Sequence, residues 1–144
     1  MQRKCALGLG IFFLIIGVAG FFPNLLTLPT EKYDTYYVYR AGDIYSQGFG
    51  FLFGLFPTNL LHNLIHITVG LFGIAAAATG DGARFYNRSF AISYALIAIM
   101  GLLPITQSFF GTMPIFGNNV WLNALSSAIA GYFGFVSKWV IPNY

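Results

Sequence analysis

The sequence predicts an all-α membrane protein, a bundle of four transmembrane helices, on three observations. Hydrophobic residues make up 57% of the 144 residues and charged residues only 8%, whereas soluble domains average about 25% charged residues. Four apolar segments are each long enough to cross a bilayer. No Asp, Glu, Lys or Arg lies in the middle of any of them. We therefore interpret residues 1–144 as a single integral membrane domain.

The predicted spans have recognisable ends. The first span ends before Pro23, because the residue that precedes a proline avoids helical geometry. The second begins at Pro57, which suits a first helical turn, with Thr58 or Asn59 as the cap. Each span has 17 to 22 residues, and about 20 residues cross the hydrocarbon core at 1.5 Å per residue. The spans are about 6–22, 57–78, 86–103 and 120–140.

Basic residues near the span ends predict the orientation. Five of them lie at the N-terminus, in the loop between spans two and three, or near the C-terminus: Arg3, Lys4, Arg84, Arg88 and Lys138. Only Lys32 and Arg40 lie in the first loop, and the third loop has none. Because cytoplasmic loops carry the excess of Lys and Arg, we expect both termini in the cytoplasm. Seven scattered basic residues form no face for nucleic acid.

The two halves of the chain are similar, which predicts two helical hairpins related by a parallel repeat. At an offset of 60 residues the start of span two matches the start of span four, in the pairs Phe56 and Phe116, Asn59 and Asn119, and Asn63 and Asn123. Since each half contributes two spans, both halves face the same way, with a pseudo-axis along the membrane normal. Unrelated Gly-rich apolar segments are the alternative explanation.

Aromatic segments in the outer loops predict lids over the bundle. Residues 48–56 and 109–116 are rich in Phe and Gly but too short to span a bilayer. The first loop also carries five tyrosines, Tyr33, Tyr36, Tyr37, Tyr39 and Tyr45. Tyrosine is enriched at membrane interfaces, so we expect both segments to lie flat on the outer side. An aromatic interface belt and a docking surface for a partner or a lipid both fit this pattern.

Small residues recur at four-residue spacing in spans two and four. This spacing is typical of closely packed membrane helices. It predicts close contact either within the bundle or with another protein. The pairs are Gly73 and Ala77, Ala124 and Ala128, Ser127 and Gly131, and Ala130 and Gly134.

A cluster of polar residues in the outer half of spans two and four is the candidate site. His62 and His66 are four residues apart and share one helix face with Asn59. Polar groups inside a bilayer are costly unless they are paired, so we expect each to have a partner. The polar cluster consists of Asn59, His62, Asn63, His66, Asn119, Asn123, Ser126 and Ser127.

Three interpretations of the polar cluster stay open. A buried hydrogen-bond network would join spans two and four, at about 0.6–2 kcal/mol for each bond. Alternatively, His62 or His66 binds a cofactor, as axial ligand to chlorophyll magnesium or haem iron. The third interpretation is traffic of metal ions or protons. Two histidines without a carboxylate at the same depth predict no tight zinc site, which takes four ligands.

Catalytic signatures are missing, so we expect no enzyme. The sequence has no phosphate-binding loop of known spacing and no nucleophile beside a base and an orienting acid. These observations favour a non-enzymatic accessory or structural subunit of a larger membrane assembly, with membrane lipids and other membrane subunits as partners. A small-solute or ion conduit is a further alternative, disfavoured because the inner half of the spans lacks a polar path.

Two segments carry a resemblance to a known family: Phe53 to Gly70, which contains an Asn-x-x-His-Asn-x-x-His pattern, and Pro114 to Asn123. The chain resembles a bacterial family of small four-span membrane proteins of unknown function. The long first loop resembles that of cyanobacterial members. The resemblance implies a photosynthetic membrane assembly as host, in the thylakoid or plasma membrane. Family members often carry an acid and a histidine near the start of the last helix, where this chain has Asn119 and Asn123. That departure weakens any shared metal site.

Overall fold

The computed structural model describes residues 1–28 and 43–137, and most of these residues are helical. Each predicted span contains one helix, so the all-α class is confirmed. The helices are α1 (Gln2–Ala19), α2 (Leu60–Ala76), α3 (Gly80–Leu102) and α4 (Asn118–Gly131). A 3-10 helix, Pro23–Leu25, follows α1, and a π-helix, Tyr132–Val136, continues α4. Lys32, Arg40, Lys138 and four of the five loop tyrosines lie outside the described residues.

Helix boundaries differ from those of the predicted spans, and three of these differences bear on the fold. Helix α1 ends at Ala19 rather than at residue 22. Helix α3 begins six residues early, because the hydroxyl of Thr79 accepts a hydrogen bond from the Gly82 N–H at 3.0 Å and caps the first turn. Pro57 lies in a strand rather than in the first turn of α2. Asn59 caps α2 as predicted, since its side chain accepts from the His62 N–H at 2.8 Å.

By length and hydropathy, α1 is the one helix of the described chain that qualifies as a candidate membrane span. One third of its apolar window is buried inside the bundle. Helix α2 is also apolar but has only 17 residues.

A small antiparallel sheet follows α1 and precedes α2, where the sequence predicted flat lids. Its strands, in spatial order, are β1 (Leu26–Thr27), β2 (Gly50–Leu52) and β3 (Phe56–Thr58). Leu52 pairs with residues on both neighbouring strands and is buried. Pro57 has no N–H to donate and is accommodated in the edge strand β3. The first predicted lid is therefore a hairpin with one face buried rather than a flat segment.

Hydrogen bonds between helix ends show that α1 and α3 run parallel. Three of them join elements at one end of the bundle: the Asn87 amide to the Gln2 carbonyl at 3.1 Å, the Arg3 guanidinium to the Ala77 carbonyl at 2.7 Å, and the Arg88 guanidinium to the Gly134 carbonyl at 2.8 Å. The starts of α1 and α3 thus meet the ends of α2 and the π-helix. We call this the basic end, and the opposite end, with the sheet and residues 103–117, the capped end.

Each hairpin is closely packed, α1 mainly against α2 and α3 mainly against α4. A Cβ atom on Gly10 would lie 2.6 Å from the Ile74 nitrogen and 2.8 Å from the Gly70 carbonyl oxygen, so only glycine fits. Most of the predicted small-residue pairs serve contacts inside the bundle in the same way. Gly73, Ala77, Ala130 and Gly134 are all buried, whereas Ala128 is exposed.

Phe13 joins the two hairpins at the centre of the bundle. Its side chain is fully buried, and its ring meets the rings of Phe90 and Tyr94 on α3 edge-on at 5.2 and 5.1 Å. It meets the His66 ring in the same way, at 5.1 Å. Edge-to-face pairs at these distances are favourable. The aromatic core therefore begins directly against the polar cluster.

Two glycines of α1 that are two residues apart, Gly8 and Gly10, test the close packing. We expect Gly10→Ala to lower the free energy of unfolding by about 1–3 kcal/mol, because the added methyl overpacks a backbone contact. A Cβ on Gly8 meets nothing within 4 Å, so Gly8→Ala should be neutral or should stabilise by up to about 1 kcal/mol through helix propensity. Denaturant titration in mild detergent, followed by circular dichroism, measures both. Equal effects would contradict the packing described above.

Candidate functional site

All eight residues of the polar cluster are buried, none with more than 8% of its surface exposed. They belong to the start of α2 and to α4, beneath the loops of the capped end. The Asn119 amide of α4 reaches the Pro57 carbonyl, three residues before α2, at 2.7 Å, so the two helix starts lie near one another. Burial alone does not distinguish a structural network from a ligand site, because both need desolvated polar groups. The hydrogen-bond partners make the distinction.

Asn59 ties α2 to both outer loops. Its amide nitrogen donates to the Tyr45 carbonyl at 3.1 Å and to the Thr112 carbonyl at 2.8 Å. Its amide oxygen accepts from the His62 N–H, as the cap of α2. Both halves of the carboxamide are thus occupied by backbone groups. Asn59 closes the capped end over the histidines and does not pair with a histidine side chain.

Asn119 makes the corresponding contacts from α4. Its amide nitrogen donates to the Pro57 carbonyl at 2.7 Å and to the Pro114 carbonyl at 3.1 Å. Pro57 belongs to the first half of the chain and Pro114 to the second, just as Asn59 reaches one carbonyl in each half. The two asparagines stand 60 residues apart, at the predicted repeat offset. Each asparagine therefore donates one hydrogen bond to a backbone carbonyl of its own half and one to a carbonyl of the other half.

Two further members of the cluster secure the hairpins. The Asn63 amide nitrogen donates to the Gly20 carbonyl at 2.9 Å, and its oxygen accepts from the Thr58 hydroxyl at 2.6 Å. A side chain on Gly20 would collide with this carboxamide. The Ser127 hydroxyl donates to the Ala91 carbonyl of α3 at 2.7 Å. Asn123 and Ser126 are buried in the same cluster.

The hydrogen-bond network differs in one respect from the predicted one. The sequence suggested side chains of α2 and α4 bonded to one another, but the asparagines bond instead to backbone carbonyls of the intervening loops and turns. The reason is that these carbonyls need donors. Loop carbonyls that lack a partner in a regular element must be satisfied when they are buried, and a carboxamide offers two N–H donors at once.

His62 and His66 are the members that the network leaves incompletely satisfied. Their rings are 4.3 Å apart between centroids, tilted by 55°. The carbonyls of Pro57 and Pro114, which accept hydrogen bonds from Asn119, lie near the His62 ring. The Nδ1 atom of His62 is buried and has no partner. His66 is 6% exposed and packs edge-on against Phe13.

Both histidines line a cavity of about 210 Å³. Its remaining walls are mainly apolar, from α1, the sheet and α4: Phe12, Ile16, Leu52, Phe53, Phe56, Pro57, Thr58, Asn119 and Leu122. This volume lies below the roughly 300–1,000 Å³ of pockets that enclose drug-sized ligands. A tetrapyrrole would thus reach these histidines only with its ring outside the cavity. Axial ligation to chlorophyll or haem stays a prediction.

No group of three or more His, Cys, Asp or Glu side chains that could hold a metal ion occurs within residues 1–28 and 43–137. The nearest approach to a ligand set is the histidine pair itself. Its other neighbours are amides, hydroxyls and aromatic rings. The arrangement suits hydrogen bonding, since Zn²⁺ takes its ligands from Cys, His and carboxylate side chains.

The sequence reading missed a second set of buried polar atoms, at the basic end. Both amide atoms of Gln2 and the Asn87 oxygen are buried without a partner, as is the Arg84 Nε atom. Asn87 is fully buried although it lies in the first third of α3. The available signal was a polar residue on the same helix face as the buried Ala83 and Phe90. The predicted span begins at Tyr86 and so leaves Ala83 outside the helix, which hides the face that Ala83 shares with Asn87.

A family model matches residues 3–136, and its description is a domain of unknown function, DUF4383. The match covers nearly the whole chain, from the start of α1 to the end of the π-helix. The chain therefore belongs to the DUF4383 family. No curated protein and no solved structure shows a match to it. The membership agrees with the uncharacterised family that the sequence resembled, and it assigns no activity.

Neighbouring asparagines at the start of α4 test the structural role of the site. Asn119→Ala removes two buried donors and leaves buried carbonyls unpaired, so the free energy of unfolding should fall by about 1–3 kcal/mol. The exposed Asn118 donates a single bond, to the Leu55 carbonyl at 3.1 Å. Asn118→Ala should therefore cost about 0.5 kcal/mol or less. Denaturant titration of both variants would contradict the proposed role of Asn119 if the two losses were equal.

Proposed function

We propose that the chain is an integral membrane protein that crosses the bilayer four times. The lengths of the helices support this: 18 residues in α1, 17 in α2, 23 in α3, and 14 in α4 continued by the five-residue π-helix. A membrane-spanning helix needs about 17–25 residues. Among the helices of residues 1–28 and 43–137, only α1 meets the length and hydropathy criteria by itself, so the proposal depends also on how the bundle distributes its side chains.

That distribution is inverted relative to a soluble bundle. The asparagines, histidines and serines of the polar cluster are buried, whereas large apolar side chains face outwards on every helix. Examples are Ile15, Phe72, Leu96 and Leu125, each more than half exposed. Soluble monomers rarely expose contiguous apolar surface beyond a few hundred Å². An apolar surface all round the bundle is what contact with lipid requires.

The basic end supplies the orientation. Arg3, Lys4, Arg84 and Arg88 belong to the starts of α1 and α3, which lie at that end, and Arg3 and Arg88 bind the carbonyls of neighbouring helix ends. The positive-inside rule then places the basic end in the cytoplasm and the capped end outside.

Cysteine labelling tests this orientation. Starting from Cys5→Ala, we would place one cysteine at the exposed Gln47 of the capped end and another at the exposed Ala78 of the basic end. In intact cells a membrane-impermeant maleimide should label Gln47→Cys fully and Ala78→Cys only after permeabilisation. The inverse pattern would refute the orientation, and labelling of both sites in intact cells would refute the four-span arrangement.

We further propose that the protein is a non-enzymatic accessory or structural subunit of a larger membrane assembly. The observation that carries this proposal is an open groove between α2 and α3, two helices that belong to different hairpins. The groove has a volume of about 390 Å³ and aromatic walls that include Phe72, Phe85 and Phe90. A groove of this kind on the outer surface suits a helix of another subunit.

Two hydroxyl groups favour a protein occupant of the groove. Ser89 and Ser93 are four residues apart on α3, are exposed, and line the groove. Serine hydroxyls between membrane helices form hydrogen bonds across the interface and permit close approach. The small residues of α2 and α4 mostly form contacts inside the bundle. We therefore propose the groove, rather than those residues or the aromatic lids, as the surface that docks a partner.

The host of such a subunit is proposed on the resemblance alone. Cyanobacterial members of the family point to a photosynthetic membrane, thylakoid or plasma membrane. Pigment or haem binding through His62 or His66 is a second candidate, supported by the unpaired Nδ1 atom of His62. An absorption spectrum of the gently purified protein tests it. A conduit is the weakest candidate, because a closely packed aromatic core surrounds Phe13.

A pair of neighbouring substitutions on α3 tests association through the groove. In mild detergent the native protein should migrate with co-purifying subunits, far above its 15.8 kDa plus micelle. Ser93→Trp fills the groove and should abolish the larger species. Ile92→Trp adds the same ring at an exposed position outside the groove and should leave the species intact.

Native gels with mass spectrometry of the co-migrating chains read out this experiment. A protein that stays monomeric in every mild extraction would refute the accessory-subunit proposal. A large species that survives both tryptophan substitutions would move the contact away from the α2–α3 groove.

A further inference from the structure

Two arginines of α3 lie together at the basic end, beside the π-helix. Arg84 and Arg88 are four residues apart, so their side chains share one face of α3. The Arg88 guanidinium donates through Nε to the Gly134 carbonyl at 2.8 Å and lies 5.1 Å from the centre of the Phe135 ring. A Cβ atom on Gly134 would lie 3.0 Å from the Arg88 backbone nitrogen, so α3 and the π-helix are in direct contact. The arginine pair, Arg84 and Arg88, therefore borders the junction between these two elements.

The protein leaves the arginine pair with unused donors. A guanidinium has five N–H donors, and the bond to Gly134 occupies one of those of Arg88. The Nε atom of Arg84 is buried and has no partner, so the fold does not anchor this side chain as it anchors Arg88. Both side chains are half-buried, so each is also partly open to the outside. The pair can therefore accept further hydrogen-bond acceptors from a bound molecule.

The charge at this end calls for an anion. Of the four acidic residues of the chain, only Asp81 belongs to α3, where it is exposed one turn before Arg84. One carboxylate does not balance two guanidinium groups, and Arg3 and Lys4 at the start of α1 add to the positive excess. Guanidinium groups bind phosphate and carboxylate oxygens through paired N–H donors. A phosphate group suits a site with two arginines.

Apolar surface beside the arginine pair favours a lipid over a soluble anion. Tyr132, Phe135 and Val136 of the π-helix are 56%, 52% and 66% exposed. Phe135 is also the residue over whose ring Arg88 lies. A molecule with both a phosphate group and a hydrocarbon chain would contact the guanidinium groups and this surface at once, whereas free phosphate would contact the guanidinium groups alone.

We propose that the junction of α3 and the π-helix binds the phosphate of an anionic phospholipid through Arg84 and Arg88, with an acyl chain along Phe135. The inference rests on the proposed membrane arrangement, which places the basic end at the cytoplasmic surface. Basic residues beside the cytoplasmic ends of membrane helices attract anionic lipids. Zwitterionic lipids also carry a phosphate, but their ammonium group offsets its charge. The positive excess at the basic end therefore selects a headgroup with a net negative charge.

Two lipids with the same acyl chains test the selectivity. Phosphatidylglycerol and phosphatidylcholine both contain a phosphodiester, and only the first has a net negative charge. The full-length protein is reconstituted into nanodiscs that contain equal amounts of both lipids and is then extracted in mild detergent. Native mass spectrometry counts the lipids that stay bound. Phosphatidylglycerol should be retained about 10-fold in preference to phosphatidylcholine, a ratio that one hydrogen bond to a charged group supplies.

Two substitutions that remove the same charge separate a specific site from diffuse attraction. Arg84 is the residue to change, because Arg88 also joins α3 to the π-helix. Arg84→Gln should lower the preference about 10-fold, so that both lipids are retained equally. Lys4→Gln removes a charge from an exposed position on α1. It should lower the preference about 2-fold or less, because an exposed charge outside the junction acts only through screened attraction.

Each outcome bears on the proposal. A preference for phosphatidylglycerol that is lost in Arg84→Gln and kept in Lys4→Gln supports it. Equal retention of the two lipids by the native protein, or equal losses in the two variants, would overturn it. Displacement of the lipid by inorganic phosphate at constant ionic strength would assign the arginine pair to a free anion and would also overturn it. A protein that enters no nanodisc of either lipid would refute the membrane arrangement itself, so the two failures are distinguishable.

Discussion

The reciprocal hydrogen bonds of Asn59 and Asn119 are the constraint on which the capped end depends. Each carboxamide donates to one backbone carbonyl of its own half and to one of the other half. Buried carbonyls in irregular loops are among the most expensive groups to leave unpaired. By satisfying four of them, the two asparagines permit the loops to fold inwards over the helices and lock the hairpins into one register.

The arrangement of the histidines follows from that cap. Asn119 donates to the carbonyls of Pro57 and Pro114, and both carbonyls lie near the His62 ring. His66 lies between His62 and the aromatic core around Phe13. A continuous column of rings thus leads from the cap to the centre of the bundle. Within the described residues, the buried Nδ1 atom of His62 has no hydrogen-bond partner.

The glycines of the bundle lie at contacts between its helices, and its outer surface consists mainly of large apolar side chains. Glycines such as Gly10 and Gly70 are consumed by backbone contacts within the first hairpin, and Gly134 packs against Arg88 in the second. The outer surface is therefore left to large apolar side chains, interrupted by the serines of the α2–α3 groove. Those two features, a lipid-compatible surface and an aromatic groove that carries two serines, are the basis of the membrane-subunit proposal.

The sequence alone determined the four helical segments and the burial of the eight polar residues, because the spacing of apolar and polar residues indicates which face of a helix is desolvated. It also determined that Asn59 and Asn119 occupy corresponding positions, 60 residues apart, in the two halves. Only the tertiary structure decided the partners. The asparagines bond to backbone carbonyls, which have no residue-specific signature, and the sheet pairs Leu26 with Leu52 across the long first loop. The cavity that both histidines line is likewise formed by side chains of α1, the sheet, α2 and α4. Its volume depends on how these elements pack, so no single segment of the sequence predicts it.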